Sequence, residues 1–194
     1  MCVLTIEAVM EKADNYELEA IIAGCKRGES AGFLRLIDAY GTRVYGFFYR
    51  LSGNKTVSED LLGELFVKLV DKIKGWRGGN FDGWLFTVAS NIWRDRLRAM
   101  QRDQKMLKAR TEELEHRAKL GHQSGPEDEI IDRLNRKLES IDDESRELIM
   151  LRYYSQMSFR EIARMRSMPI GTVLSKVHRG LAKLRQLMEQ NSDE

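Results

Sequence analysis

Several things that other classes of protein depend on are scarce here. Cysteine occurs only at Cys2 and Cys25, and neither has a metal-ligand neighbour at useful spacing. That argues against a disulfide-stapled domain and a thiolate metal site, and for reduced thiols in the cytoplasm. Proline occurs twice and glycine is ordinary, at 15 of 194 residues. Little therefore interrupts helices, and the composition favours an all-α chain. No run of 18 apolar residues exists, so no membrane span or insertion is expected. The first twenty residues carry one Lys against five Asp/Glu. A signal peptide would instead place Lys or Arg ahead of a long apolar run. No internal repeat is visible.

What is present is unevenly distributed charge. The formal net charge is only +2. Residues 91–110, however, hold seven Arg/Lys against two Asp, and residues 158–188 hold seven Arg/Lys against one Glu. Between them, residues 111–147 hold six Arg/Lys against twelve Asp/Glu. Phosphate binding needs local positive potential rather than a high total, so two separated basic helices suggest an elongated grip on nucleic acid.

Periodicity predicts helices over 15–25, 29–52, 56–74, 82–108, 128–139, 144–154, 159–166 and 170–188. The clearest is 56–74, where Leu61, Leu62, Leu65, Phe66, Leu69, Val70 and Ile73 recur at three- and four-residue steps. Thr56 and Glu59 have capping-box spacing at its start. In 29–52 the apolar material is Phe33, Leu34, Ile37, Val44, Phe47, Phe48 and Leu51, with Gly41 and Gly46 as points of weakness. Ser52-Gly53-Asn54 reads as a turn. Gly121, Gly125 and Pro126 break a segment without an apolar stripe. The expected organisation is two small helical domains, 1–108 and 128–190, joined by a flexible linker over 109–127, with the final QNSDE frayed.

The second domain ends in a helix-turn-helix pattern, SFREIARMRSMPIGTVLSKVHRGLAKLRQLM. Ser158 and Glu161 have capping-box spacing, Arg166-Ser167-Met168 makes the turn, and Pro169 suits the start of the next helix. That helix carries Val173, Val177, Leu181, Leu184 and Met188 on one side. Thr172, Lys176, Arg179 and Lys183 occupy another, with Ser175 close by. The apolar side suits burial. The basic side suits a major groove, where Lys and Arg meet guanine acceptors and hydroxyls reach bases or phosphates. N–H groups near 170–172 offer a phosphate contact.

In the first domain, Trp84, Val88, Asn91, Asp95, Arg98 and Arg102 recur at three- or four-residue steps, with Arg94 alongside. Asp95 can pair with Arg98 or Arg94. Trp76 and Phe81 lie in the glycine-rich loop before this helix. Aromatics beside arginine can stack on unpaired bases, and they can equally close a core. Core packing is the better expectation for Trp84, while Trp76 and Trp93 are balanced between the two. The helix 56–74 shows Glu59, Asp60, Glu64, Lys68 and Asp71 on its less apolar side. That face suits solvent or a basic protein partner. Asp60, Glu64 and Asp95 have no nucleophile or metal cluster near them in the pattern, so an enzyme is not expected.

Over residues 29–188 the chain resembles bacterial RNA polymerase sigma factors of the extracytoplasmic-function type, in the sigma-70 family. The motifs that carry the resemblance are SEDLLGELFVKLVDKI, FDGWLFTVASNIWRDRLR and MSFREIARMRSMPIGTVLSKVHRGLAKLR. It implies a first domain of the sigma region 2 type and a second of the region 4 type, a helix-turn-helix related to winged helices but without a wing. It further implies docking on the largest subunit of core polymerase through Asp60, Leu61 and Glu64, with the second-largest subunit as a further partner. The −10 element would be melted and held by Trp76, Asn91, Arg94, Asp95 and Arg98. The −35 duplex would be read by Thr172, Ser175, Lys176, Arg179 and Lys183. A separate anti-sigma factor is the implied regulator, and no cofactor is implied.

Four positions depart from the family pattern. Gly63 stands where glutamine is usual, Ser167 where glycine is usual in the turn, Leu174 where a basic or polar residue is common, and Ser58 where alanine is usual. If position 167 needs positive φ, serine there costs roughly 1 kcal/mol. The competing reading is a stand-alone helix-turn-helix regulator whose first domain dimerises or binds an effector. A pure protein-interaction adaptor is the third.

Overall fold

Helix follows helix in the computed structural model, which describes residues 17–110 and 137–189. The expectations for 1–16, for the linker from 111 onward, for 128–136 and for the tail from 190 lie outside the described residues. The elements are α1 (17–27), α2 (Ser30–Ser52), α3 (Lys55–Lys72) with a 3-10 turn at Ile73–Gly75, and α4 (Phe81–Arg110). A helical turn at 137–139 then leads to α5 (Asp143–Tyr154), α6 (Phe159–Arg166) and α7 (Ile170–Glu189). Helix α4 continues through residues 109 and 110, the first two of the expected linker.

Helix α2 is continuous through Gly41 and Gly46. Gly46 has a packing role: a Cβ there would lie 3.3 Å from the Tyr154 ring and 3.2 Å from the Arg50 guanidinium. Gly53 ends α2 with φ 63°, its N–H donating to the Tyr49 carbonyl at 2.9 Å. The next residue starts α3. Asn54 Oδ1 accepts the Val57 N–H at 3.0 Å, so Asn54 and not Thr56 is the cap. Asparagine is among the strongest N-cap residues, and placing it immediately after the turn glycine moves the helix start one residue forward of expectation.

The first half closes on Leu61, Leu65, Leu69 and Ile73 of the α3 region, Val44, Phe47, Phe48 and Leu51 of α2, and Leu85, Phe86, Ala89 and Ile92 of α4. Phe47 and Phe86 meet edge to face with ring centroids 5.2 Å apart. Each such buried side chain contributes about 1.5–3 kcal/mol. Trp93 joins this core, and Trp84 packs partly buried against it. The apolar stripe read from sequence is wider than the buried one. Leu34, Ile37 and Val70 are exposed, because α2 and α3 bury only the strips that meet neighbouring helices. Met188 is exposed on α7 for the same reason.

The second half stacks α5, α6 and α7 around Leu148, Ile149, Leu151, Ile162, Val173 and Val177. Gly180 allows the closest approach, since a Cβ there would come within 2.8 Å of Ile149 Cδ1. The Ser158–Glu161 capping box is complete, with both reciprocal hydrogen bonds formed. The turn residue Ser167 has φ 51° and ψ 42°, in the left-handed region, and Met168 N–H donates to Ala163 O at 2.9 Å. Serine therefore occupies a position where glycine carries no steric cost.

The two halves also pack on one another, with α5 against α2 and α4. The seam is polar. Arg146 donates to the Leu51 carbonyl at 2.9 Å and to Ile141 O at 3.0 Å. Arg43 donates to Tyr154 O, and the Arg50 guanidinium lies 5.1 Å from the Tyr154 ring centroid. Ser90 bonds the Glu147 carboxylate, which also binds Arg166. Arg146 Nε and Trp93 Nε1 are buried without a hydrogen-bond partner. Burial lowers the pKa of Arg146, with nearby Asp143, Glu139 and Asp142 opposing.

Candidate nucleic-acid and partner interfaces

Helix α7 turns Val173, Val177 and Gly180 inward and leaves Gly171, Leu174, Ser175, His178 and Arg179 outward. The five basic or hydroxyl residues expected to read DNA divide. Ser175, Arg179 and Lys183 are exposed, while Thr172 and Lys176 are half-buried. Ser175 Oγ donates to Thr172 O at 3.0 Å, and Arg179 Nε to Ser175 O at 3.3 Å, which lays the guanidinium along the helix surface. Lys176 Nζ pairs with Glu144 at 2.6 Å, and Glu144 also lies 3.4 Å from Arg166. Lys183 Nζ donates to the Ser140 carbonyl. These two lysines thus tie α7 to the start of α5, a role that spacing alone does not reveal. The Thr172 N–H is taken by Pro169 O at 2.9 Å, so it is not open to a phosphate as the sequence suggested.

The caps that orient these helices are ionised carboxylates. Burial alone would raise the pKa of Asp142, but hydrogen bonds from Ser145 outweigh it and bring the group down. Hydrogen bonds from Ser158 hold Glu161 below the usual carboxylate range.

The second basic surface lies on α4 and the loop before it. Gly78 and Gly79 have φ 97° and 92°, which few other residues adopt. Asn80 then accepts the Gly83 N–H at 2.9 Å and the Trp84 N–H, at its carbonyl, at 3.1 Å. This cap sits two residues before the expected helix start. Asp82, in the first turn, accepts from Tyr40 at 2.7 Å and from Arg43 at 2.5 Å. Burial, then the neighbouring Asp82, raises the Tyr40 hydroxyl pKa. Trp76 is half-buried, edge-on to Phe81 at 5.6 Å, with the Lys26 ammonium 5.2 Å from its ring. Lys26 also donates to Trp76 O at 2.7 Å. One face of Trp76 is thus already matched to a cation. Further along α4, Asn91, Asp95 and Arg98 are exposed and Arg94 is half-buried. Asp95 pairs with Arg98 at 2.9 Å, while Arg94 reaches Asn91 Oδ1 at 3.4 Å. Trp93 points into the core and takes no part.

The third surface is the outer side of α3. Asp60 and Glu64 are exposed, and Glu64 pairs with Lys68 at 2.6 Å. Leu61 is different: it is 2% exposed and belongs to the core. Its apolar side chain lies in the core, so its part is to set the register of Asp60 and Glu64. The position of Gly63 is open, with nothing within 4 Å of a Cβ built there. Val67, 71% exposed, lies one turn beyond Glu64, with Val70 and Ile37 also exposed. Sequence reading missed this apolar rim. The signal was Val67 itself, an apolar residue off the main stripe.

Comparison with known proteins fits this arrangement. The sigma-70 region 2 family matches residues 36–103, and the sigma-70 region 4 family matches residues 131–184. RNA polymerase sigma factor CarQ of Myxococcus xanthus is 30% identical over 162 residues, covering 83% of this chain and 91% of CarQ. ECF RNA polymerase sigma factor SigW of Bacillus subtilis is 29% identical, covering 83% and 91% respectively. SigE of Mycolicibacterium smegmatis is also 29% identical, and there the match spans 62% of the relative's length. Among solved structures, CnrH in complex with the cytosolic domain of CnrY is similar in fold, with a TM-score of 0.63 at 21% identity, covering 89% of this chain and 97% of that one. RpoE in complex with the anti-sigma factor NepR from Bartonella quintana gives 0.64 at 22%, covering 82% and 98%. With region 2 and region 4 in order on one chain, and a near full-length match to CarQ, the chain belongs to the ECF branch of the sigma-70 family of RNA polymerase sigma factors.

Proposed function

We propose that the chain binds core RNA polymerase through the outer side of α3, reads a −35 duplex with α7 and holds the opened −10 strand against α4. The observation that carries this reading is the division of α7, with Val173, Val177 and Gly180 buried and Ser175 and Arg179 facing solvent on the other side. On this reading Asp60 and Glu64 meet the largest subunit, with Val67 completing the contact. Asn91, Arg94, Asp95 and Arg98 face the non-template strand, and Trp76 offers a stacking surface. The units would be 1–108 and 128–190 about the linker 109–127, which would pass close to the second-largest subunit. The polymerase performs the nucleotide chemistry. Contacts made only to the open strand offset the few kcal/mol of unpairing per flipped nucleotide.

An anti-sigma factor fits as a separate partner, because the similar RpoE was solved with one. The site of action would be the cytoplasm. Among the described residues no helix is long and apolar enough to cross a membrane.

Transcription in vitro with and without core enzyme tests the reading. Promoter-specific initiation should need both proteins. Arg179→Ala should weaken promoter recognition and leave core affinity near normal. Asp60→Ala or Glu64→Ala should weaken core affinity. Tight, specific duplex binding by the chain alone would favour a stand-alone regulator instead.

A further inference from the structure

We propose that Leu174 is a specificity-determining residue that meets the 5-methyl group of a thymine in the upstream duplex. The proposal rests on the assignment of α7 to that duplex. Leu174 is 43% exposed and stands apart from the apolar side chains that pack on the core, unlike Leu181 and Leu184 further along the same helix. It therefore takes no part in the apolar core. It sits beside Ser175 and one turn after Gly171, where a Cβ would meet nothing within 4 Å. The surface in front of it is open to an approaching ligand. Ile170, four residues earlier, is also exposed and extends the apolar strip toward the start of the helix.

The chemistry of the major groove then selects the partner. Guanine and adenine present N7 with O6 or N6 there, cytosine presents N4, and thymine alone adds a methyl group. A leucine side chain gains nothing from a phosphate or from a hydrogen-bonding edge. It gains by excluding water from another apolar group. A lysine at the same place would bind phosphate whatever the sequence, adding affinity without selectivity. An apolar residue set among Ser175, His178 and Arg179 on the outward face thus contributes discrimination, while the arginine supplies attraction.

The test uses core polymerase reconstituted with the full-length chain. Duplex promoters with a randomised upstream region are selected for binding. Each thymine of the enriched element is then replaced, one at a time, by deoxyuridine, which lacks only the methyl. One such replacement should reduce affinity about four-fold, the worth of a single buried methyl. Leu174→Ala should bind the thymine and uracil templates equally and match the wild type on uracil. Leu174→Lys should also lose the distinction. Both variants should remain folded, because Leu174 lies outside the apolar core. An enriched element without thymine would overturn the proposal. So would equal wild-type binding to every thymine–uracil pair, or discrimination that survives in Leu174→Ala. If no upstream element is enriched at all, the promoter reading of α7 falls, and the proposal with it.

Discussion

Ser90 of α4 and Glu147 of α5, 57 positions apart, are hydrogen-bonded inside the seam between the two halves, and the same carboxylate holds Arg166 of α6. Glu147 is thus shared between the boundary of the halves and the internal scaffold of the helix-turn-helix. Removing it leaves a buried arginine with only the more distant Glu144.

Glu147→Ala should lower stability by about 3–5 kcal/mol, as expected when one member of a buried ion pair is lost. Ser90→Ala should cost about 1–3 kcal/mol. The double variant should show a coupling energy of about 0.5–3 kcal/mol in urea unfolding. Additive losses would mean that the two side chains do not meet in solution.

Ser167→Gly should stabilise the chain. Its backbone already lies in the left-handed region, where a Cβ costs roughly 1–2 kcal/mol. For a chain of this size that corresponds to a rise in Tm of about 2–8 °C. Gln156, at φ 53° and exposed, should respond to glycine in the same direction. Differential scanning calorimetry on the two variants checks both.

The capping carboxylates set an acid limit. Asp142 and Glu161 have folded pKa values below their unfolded values, which are about 3.9 and 4.3. Their stabilisation is therefore complete above those unfolded values and is lost as pH falls through the lower, folded ones. Ser158→Ala should cost about 1 kcal/mol at neutral pH. Glu161→Gln should flatten the acid side of the stability profile. Thermal unfolding followed from neutral pH into the acid range distinguishes this from a pH-independent loss.

Val67→Glu should reduce affinity for core polymerase without changing Tm. The side chain is too exposed to support the fold, and a carboxylate there would place a charge beside the exposed Val70 of the same helix. Fluorescence anisotropy of the labelled chain titrated with core enzyme measures it. An unchanged Kd would remove the apolar rim from the docking surface.

Much of the architecture was readable from spacing. Leu65, Leu69 and Ile73 recur as a helix must to fill one side, and Ser158 with Glu161 announces a cap. Spacing failed where chemistry depends on what comes near in space. Leu61 falls in the docking motif yet faces the core, since adjacent helix positions point about 100° apart. Lys176 and Lys183 look like DNA contacts on a helical wheel, and only the tertiary arrangement brings Glu144 and the Ser140 carbonyl to them. The Asn54 cap was hidden by a plausible Thr56–Glu59 alternative two residues away. The polar contacts across the seam join residues such as Arg146 and Leu51, 95 positions apart, and no periodic pattern encodes that.

The tethering of Lys176 to Glu144 has a thermodynamic corollary. A cation already neutralised by its own chain displaces few ions from a polyanion, because the log–log dependence of affinity on salt counts only newly formed charge contacts. Ionic-strength titrations should therefore reflect Arg179 more than Lys176 of the same helix. Replacing Glu144 by glutamine would free one further positive group and steepen that slope by about 0.9.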